Sequence, residues 1–488
     1  MKLREILKDI HVLSDPCDPE TEISSVTIDS RKAGPGSLFV AVLGADSGVH
    51  GIRFAKNAVE NGAAAVVADV DCEAGLPCIR VEDASIALAM LSANLWGRPA
   101  EQLKVIGVTG TNGKTTTTHL IRDILTFHGH KCGLIGTNEL QLGDRVVESH
   151  ESYTTTPEPP MLHRIFREMV DAGCEYAIME VSSHALALDR VYGVRYTAAA
   201  YTNLSQDHLN YHKTMEAYAE AKSKLFRQAD WSVINIDDSY SDLMRANAAG
   251  NVITFSRRDN SADLMAKNVK LFADSAEFQA LSTGEIQRMR IGIPGGFSVE
   301  NALTAVGVCR ALGLDFASIA QGLATAKGVC GRAEVVPVDE PYTVMIDYAH
   351  SPDSLENILR TVRPITQGRV IVVFGCGGDR DRTKRPIMGH IAECMADVCV
   401  VTSDNPRTEV PSAIIDEIVS GMKKTNHVCV ENRREAIGHA LDIARPGDFV
   451  LIAGKGQEMY QEIMGVKHPF DERVVIREHL REQKGGVQ

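Results

Sequence analysis

Apolar and polar positions alternate along this chain in a way that sets out most of its architecture. Short unbroken apolar runs recur from end to end, each followed by a glycine-rich or polar loop and then by an amphipathic stretch. The runs read as buried strands and the stretches as covering helices, the pattern of a parallel α/β sheet. In the first hundred residues the predicted strands are Val26–Arg31, Ser37–Leu43 and Ala64–Ala68, with helices over 1–10 and 52–61. Strands at Lys104–Val108, Lys131–Ile135, Cys174–Glu180 and Ala198–Leu204 follow, with helices at Thr115–Phe127 and Met215–Phe226. Tyr153–Pro157 is expected to open another helix, its threonines supplying N-caps. Residues 252–290 are strand-rich and polar, and 293–301 opens a long helix. Val344–Asp347, Val370–Phe374, Val398–Thr402 and Phe449–Ala453 form a last set of strands, each ending in a polar or glycine-rich loop. Trp96-Gly-Arg-Pro99 reads as a linker and Lys327-Gly-Val-Cys330 as a hinge.

Composition narrows the class. A chain of 488 residues exceeds what one core usually supports, about 250–300 residues, so several domains are expected. Its 44% hydrophobic and 24% charged content is that of an ordinary globular protein. No apolar run is long enough for a transmembrane helix, and the N-terminus lacks the apolar core and cleavage site of a signal peptide. Eleven scattered cysteines without a C-x-x-C pair argue against a disulfide framework or structural zinc, and for a reducing cytoplasm. The net charge of -13 is the opposite of a nucleic-acid binder's balance. Anionic small molecules stay open, because local groups and metal ions hold them. No internal repeat or low-complexity segment interrupts the chain.

Chemistry concentrates at the strand ends. Gly110-Thr-Asn-Gly-Lys-Thr-Thr116 joins a strand to a helix and reads as a shortened P-loop: glycines let backbone N–H groups approach a phosphate, and the helix N-terminus favours negative charge. Lys114 is placed to reach the outer phosphates and Thr115 to bind Mg2+. Glu180 ends a neighbouring strand, where a nucleotide-bound Mg2+ needs a carboxylate. Asp207 and His208 reach the same sheet edge. Lys222 shares a helix face with Tyr218, Leu225 and Phe226. It reads either as a snorkelling lysine with its head in water or as a half-buried amine of lowered pKa, able to take up CO2 as a carbamate. Ser30, Arg31 and His50 are weaker candidates for polar ligand contacts. In the last third, Arg380 and Arg407 suit carboxylates, while Asp404 and Glu458 suit an ammonium. Such sheets bind ligands at the carboxyl ends of their strands, so these loops are expected to converge. The expected fold is α/β in three domains: a small N-terminal α/β domain (1–98), a central P-loop ATPase-like parallel sheet (99–330) and a C-terminal Rossmann-like doubly wound sheet (331–488).

Gly110-Thr-Asn-Gly-Lys-Thr-Thr116, Glu180-Val-Ser-Ser-His184, Asn203-Leu-Ser-Gln-Asp-His208 and Ala221-Lys222 resemble the central domain of the Mur ligases, which are ATP-dependent amino-acid-adding enzymes of peptidoglycan precursor synthesis. The resemblance runs nearly the whole chain. It implies ATP binding by Gly110, Thr111, Asn112, Gly113, Lys114, Thr115, Thr116, Asn301, Arg332 and Asp347. It implies one Mg2+ at Thr115 and Glu180 and a second at His208 and carbamylated Lys222, and catalytic roles for Lys114, His208 and Lys222. Asp404-Asn-Pro-Arg407 resembles the branch that adds meso-diaminopimelate to UDP-N-acetylmuramoyl-L-alanyl-D-glutamate. By that resemblance Arg380, Asp404, Asn405, Pro406, Arg407, Gly454 and Glu458 contact diaminopimelate, while Ser30, His50, Thr155, Thr156, Ser182 and Arg190 contact the UDP-linked dipeptide. Gln457 stands where the family often has histidine, a departure that leaves a proton-transfer role at this position unsupported. A cytoplasmic monomer is expected, with no nucleic-acid partner and no membrane insertion. The alternatives are a lysine-adding ligase, folylpolyglutamate synthesis on the same fold, and a P-loop NTPase used as a regulatory module.

Overall fold

The computed structural model describes residues 1–44, 48–73, 75–137, 139–147, 154–326 and 328–485. These form two compact units, residues 1–265 with 303–322, and 266–302 with 323–488. Tyr153 of the expected Thr-rich helix start and Lys327 of the expected hinge lie outside the described residues.

The first unit opens with a five-stranded sheet in the order Val12–Ser14, Cys78–Val81, Ala65–Ala68, Ser37–Ala41, Ser25–Thr27. All pairs are parallel except the one made by Val12–Ser14. Ser37–Ala41 is buried at every position, because both faces are covered. Leu3, Ile6, Leu88 and Leu91 pack on one side, and Ala55 and Ala58 on the other. Three expectations need correction here. The first helix is confined to Leu3–Ile6. The strand predicted to run to Arg31 stops at Thr27, because the Asp29 carboxylate accepts from Arg31 N and draws Ser30–Lys32 into a 3-10 turn. And Cys72 is disulfide-bonded to Cys78, where no pairing was expected. Their sequence separation of 6 is one that a search for C-x-x-C spacing does not register.

A larger sheet follows, its parallel strands ordered Cys132–Ile135, Tyr176–Glu180, Lys104–Thr109, Tyr196–Tyr201, Ala229–Asn235, Asn251–Ser256. Glu180 pairs opposite Val108, and Tyr201 opposite Thr109. The carboxyl ends are therefore level, and the loops after Thr109, Glu180 and Tyr201 leave the sheet on one edge. Phe166, Met169, Tyr196, Tyr218 and Phe226 fill the core beneath that edge. The helix expected from the Thr-rich stretch begins at Pro159, after Glu158, with no side-chain cap. The threonines are engaged elsewhere, as described below.

The second unit contains an antiparallel hairpin, Ala276–Ser282 with Glu285–Ile291, and a six-stranded sheet. That sheet runs Glu334–Val336, Thr343–Asp347, Phe449–Ala453, Val370–Phe374, Val398–Val401, His427–Cys429, parallel after its first pair. Asp347 lies opposite Ala453, and Phe374 opposite Val401, so their four following loops also share one edge. A two-stranded hairpin, Tyr460–Ile463 with Val466–Pro469, comes next. Among the described residues no helix is long and apolar enough to cross a membrane.

Candidate active site

In the first unit, Gly110 takes φ 150°, and a Cβ there would run into the Thr202 hydroxyl. Only glycine lets the loop turn against this neighbouring strand end. The Thr202–Ser205 segment then props the loop. Thr111 N donates to Asn203 O at 2.8 Å, Asn112 N to Asn203 Oδ1 at 3.0 Å, and Thr202 Oγ1 to Asn112 O at 2.7 Å. The helix Lys114–Phe127 starts after Gly113, and its first backbone bond runs from Thr117 N to Gly113 O. The N–H groups of its opening turn therefore face the loop, a ready anion cradle. Lys114 Nζ folds back onto Gly110 O at 3.0 Å and Thr111 O at 2.9 Å. Thr116 is buried in the same turn.

Thr115 Oγ1 donates to Glu180 Oε1 at 2.9 Å, and both residues are buried. Thr137, which the sequence did not single out, completes this group: its N donates to Glu180 Oε1 at 3.0 Å and its hydroxyl to Glu180 Oε2 at 3.1 Å. Thr155 Oγ1 lies 3.0 Å from Thr137 Oγ1. Thr156 Oγ1 donates to Glu180 O and accepts from Ser182 N, each at 2.9 Å. Ser182 caps the short helix that follows by accepting from Ala185 N. Arg190 Nη1 reaches Thr156 O at 3.4 Å, and its guanidinium pairs with Glu158. Thr155, Thr156, Ser182 and Arg190 thus lie around the Glu180 strand end. Ser30 and His50 belong to the N-terminal sheet. Ser30 O accepts from Asn61 Nδ2 at 2.9 Å, and His50 Nε2 lies 3.0 Å from Asp69 Oδ1.

Lys222 is 1% exposed, which overturns the snorkelling alternative. Its helix presents Tyr218, Ala221 and Lys222 to the interior, and Nζ lies 4.7 Å over the Tyr218 ring. Nζ donates to Gly110 O at 2.9 Å, the carbonyl that Lys114 also uses. Burial, and then the Lys114 charge, holds its pKa well below the ordinary lysine range, while Asp207 opposes. His208 immediately precedes a one-turn helix at φ 53°, with its ring 4.9 Å from that of His184. Its pKa is lowered by burial and by Lys222 and Lys114, against Asp207.

In the second unit, Asp404, Asn405, Lys455 and Glu458 converge. Asn405 Nδ2 donates to Glu458 Oε2 at 2.7 Å, and Lys455 Nζ donates to Asn405 Oδ1 at 2.9 Å and Glu458 Oε2 at 3.1 Å. Lys455 was not foreseen as a site residue; its place between two glycines after a buried strand was the available signal. Gly454, at φ 122°, lets Asp404 approach: a Cβ there would stand 2.6 Å from Asp404 Oδ2. Asp404 Oδ1 accepts from Asn405 N, whereas the buried Oδ2 lacks a partner among the described residues. Burial works against this carboxylate, but Lys455 and Arg433 outweigh it and hold its pKa below the usual range. Arg407 follows Pro406, and its Nη1 donates to Gly378 O at 2.8 Å. Arg380 is exposed on the same Gly375–Asp381 loop. Arg332 stacks 4.8 Å over Tyr348, and Asp347 Oδ2 accepts from Ala333 N at 2.7 Å. Asn301 is buried in the Gly296–Ala311 helix. Gln457 Oε1 is buried without a partner among the described residues.

Residues 108–309 match the Mur ligase middle domain, 331–456 the Mur ligase glutamate ligase domain, and 22–95 the Mur ligase family catalytic domain. The chain is 44% identical over 489 residues to the UDP-N-acetylmuramoyl-L-alanyl-D-glutamate–2,6-diaminopimelate ligase of Clostridium botulinum, covering 99% of this chain and 100% of that protein. The like-named ligase of Bacillus licheniformis is 43% identical over 492 residues, covering 99% of each. A solved structure of a ligase of the same name superposes with a TM-score of 0.74 at 32% identity, covering 99% of both chains. This chain belongs to the Mur ligase family.

Proposed function

We propose that the chain is an ATP-dependent ligase that joins meso-2,6-diaminopimelate to UDP-N-acetylmuramoyl-L-alanyl-D-glutamate, releasing ADP and phosphate, in peptidoglycan precursor synthesis. The observation that carries this reading is the Asp404-Asn-Pro-Arg407 loop. It carries, three residues apart, a buried carboxylate oxygen that has no partner among the described residues and a guanidinium held at Nε by Glu462 and at Nη1 by the Gly378 carbonyl. An amino acid that bears ammonium and carboxylate groups at both ends needs such a pair. The full-length likeness to ligases of that name supports the same reading. Arg380, Asn405, Pro406, Gly454 and Glu458 complete the diaminopimelate site, and Ser30, His50, Thr155, Thr156, Ser182 and Arg190 hold the UDP-linked dipeptide. Asn301, Arg332 and Asp347 are the ATP contacts that the second unit supplies. The functional divisions fall at 98/99 and 330/331, and the enzyme works as a cytoplasmic monomer.

A carboxylate does not acylate an amine directly, because oxide would have to leave. The loop positions the γ-phosphate while Lys114 moves from Gly110 O and Thr111 O to neutralise it, and the D-glutamyl carboxylate attacks to give an acyl phosphate and ADP. The Thr115 hydroxyl and the Glu180 carboxylate, 2.9 Å apart and both oxygen donors, suit Mg2+, which when bound neutralises phosphate charge. The deprotonated amine of diaminopimelate then attacks the acyl carbon; the C–N bond forms and phosphate departs. Lys222, held toward its neutral form, takes up CO2 as a carbamate and releases a proton to solvent. The anion so formed, with His208, suits a second Mg2+.

Phosphate release, measured with the UDP-linked dipeptide and a panel of amino acids, tests the reading. Release should require diaminopimelate and be weak with lysine, by a few kcal/mol of lost pairing at Arg407. Release indifferent to any amino acid would point instead to an NTPase module. Lysine working equally well would move the chain to the lysine-adding branch.

A further inference from the structure

The Asp404–Arg407 loop is held from outside, by the hairpin of Tyr460–Ile463 and Val466–Pro469. Gln461 Nε2 donates to Asp404 O at 2.7 Å, and Glu462 N to Asn405 Oδ1 at 2.9 Å. Arg407 N donates to Glu462 O at 3.1 Å, and Met464 N to Arg407 O at 2.7 Å. Arg407 takes φ 51°, a left-handed conformation that an arginine adopts only when its surroundings impose it, and these two backbone bonds impose it.

The side chain is fixed as well. Arg407 Nε donates to Glu462 Oε2 at 3.1 Å, and Nη1 donates to Gly378 O. Two anchors on one planar group set its orientation. What remains is one N–H of Nη1 and both of Nη2, which have no partner among the described residues. The side chain is 19% exposed, so part of it stays within reach of a ligand. These N–H groups are the fork a carboxylate engages with both oxygens. An arginine anchored only at Gly378 would keep much of its rotamer freedom and lose it on binding.

We infer that Glu462 is a positioning residue for amino-acid specificity: by holding Arg407 at Nε, it presents the guanidinium as a preformed receptor for the far carboxylate of the incoming amino acid. The inference rests on the proposed diaminopimelate reading for its ligand, and on the hairpin geometry for its mechanism. Glu462 acts through Arg407 and touches no reacting atom.

The test uses the full-length protein and two variants, Glu462→Ala and Glu462→Gln. Both keep the backbone bonds, and Gln keeps an oxygen for Nε. In Glu462→Ala the KM for diaminopimelate should rise about tenfold, the upper range for ordering one rotamer-rich side chain. Its kcat and its KM for ATP and for the UDP-linked dipeptide should stay within about twofold, and its preference for diaminopimelate over lysine should fall by the same factor as the KM rise. Glu462→Gln should recover most of the loss. An unchanged KM for diaminopimelate in the alanine variant, or a parallel rise in all three KM values with a lowered Tm, overturns the inference. A second readout needs no turnover: the Arg407 Nε–H resonance in 15N-arginine-labelled protein, assigned with Arg407→Lys. It should be protected from solvent exchange in the parent and in Glu462→Gln and lost in Glu462→Ala. Absence of protection in the parent overturns the positioning role, whereas protection in a parent that does not use diaminopimelate overturns the functional reading alone.

Discussion

Lys222 shows how far a single residue depends on its surroundings. Its position on an apolar helix face is compatible with a head in water; three-dimensional packing instead buries the head on Gly110 O, over Tyr218. A charged ammonium left there unpaired would cost several kcal/mol, so the amine is driven toward neutrality, the form that reacts with CO2. Lys222→Ala is expected to lower kcat by more than about a hundredfold, the scale of losing one preorganised electrostatic group. Short-chain carboxylates that occupy the space of the carbamate should restore part of it. Phosphate release with and without added acetate or propionate measures both effects, and an alanine variant of full activity would remove Lys222 from the mechanism. Glu180 is the complementary case. Its place at a strand end suggested a role, yet its partners Thr115 and Thr137 come from two other segments, and only one of them carried a motif.

At the scale of elements, the C-terminal sheet depends on one buried ion pair. Arg433 starts the Arg433–Ile443 helix and Glu472 the Glu472–Gly485 helix, and both side chains are fully buried. Arg433 Nε donates to Glu472 Oε1 at 2.7 Å, and Nη2 to Ala453 O at 2.9 Å. The pair therefore fixes two helices to the strand end that carries Gly454. Removing one partner leaves the other charge buried, so Arg433→Met should destabilise the protein by about 3–5 kcal/mol. The double variant Arg433→Met with Glu472→Leu should regain most of that, because neither charge remains. Urea unfolding of the parent, the single and the double variant decides it, and additive losses would show that the two residues act independently. The alternation of apolar runs and loops located these elements well, since short β-branched runs bounded by glycine-rich or polar loops mark strands buried on both faces. It overran where a side chain competed with the backbone, as at Asp29, and it credited Thr154–Thr156 with a capping role although Thr156 instead bridges Glu180 and Ser182.

For the whole molecule, acid stability follows from groups that the fold buries neutral. His163 is 2% exposed against Phe166, with both ring nitrogens unpartnered among the described residues, and burial lowers its pKa from 6.5 to about 4. The unfolded chain binds the proton first as pH falls. The stability this neutral ring contributes is therefore complete above about pH 6.5 and is lost progressively as pH drops toward 4, about 3 kcal/mol in all. His163→Leu should flatten the fall in Tm between pH 7 and 4.5, and an unchanged slope would assign the acid sensitivity to other groups. The sequence by itself determined the succession of strands and helices, the phosphate loop and the family, because periodicity and contiguous motifs depend only on near neighbours along the chain. The tertiary structure decided which atoms meet. The Thr115–Glu180–Thr137 group, the Lys222 head on the phosphate loop, Lys455 between Asn405 and Glu458, and the Glu462 anchor on Arg407 all join segments far apart in sequence. Strand register and burial bring them together, and both are properties of the packed sheet that no local pattern encodes.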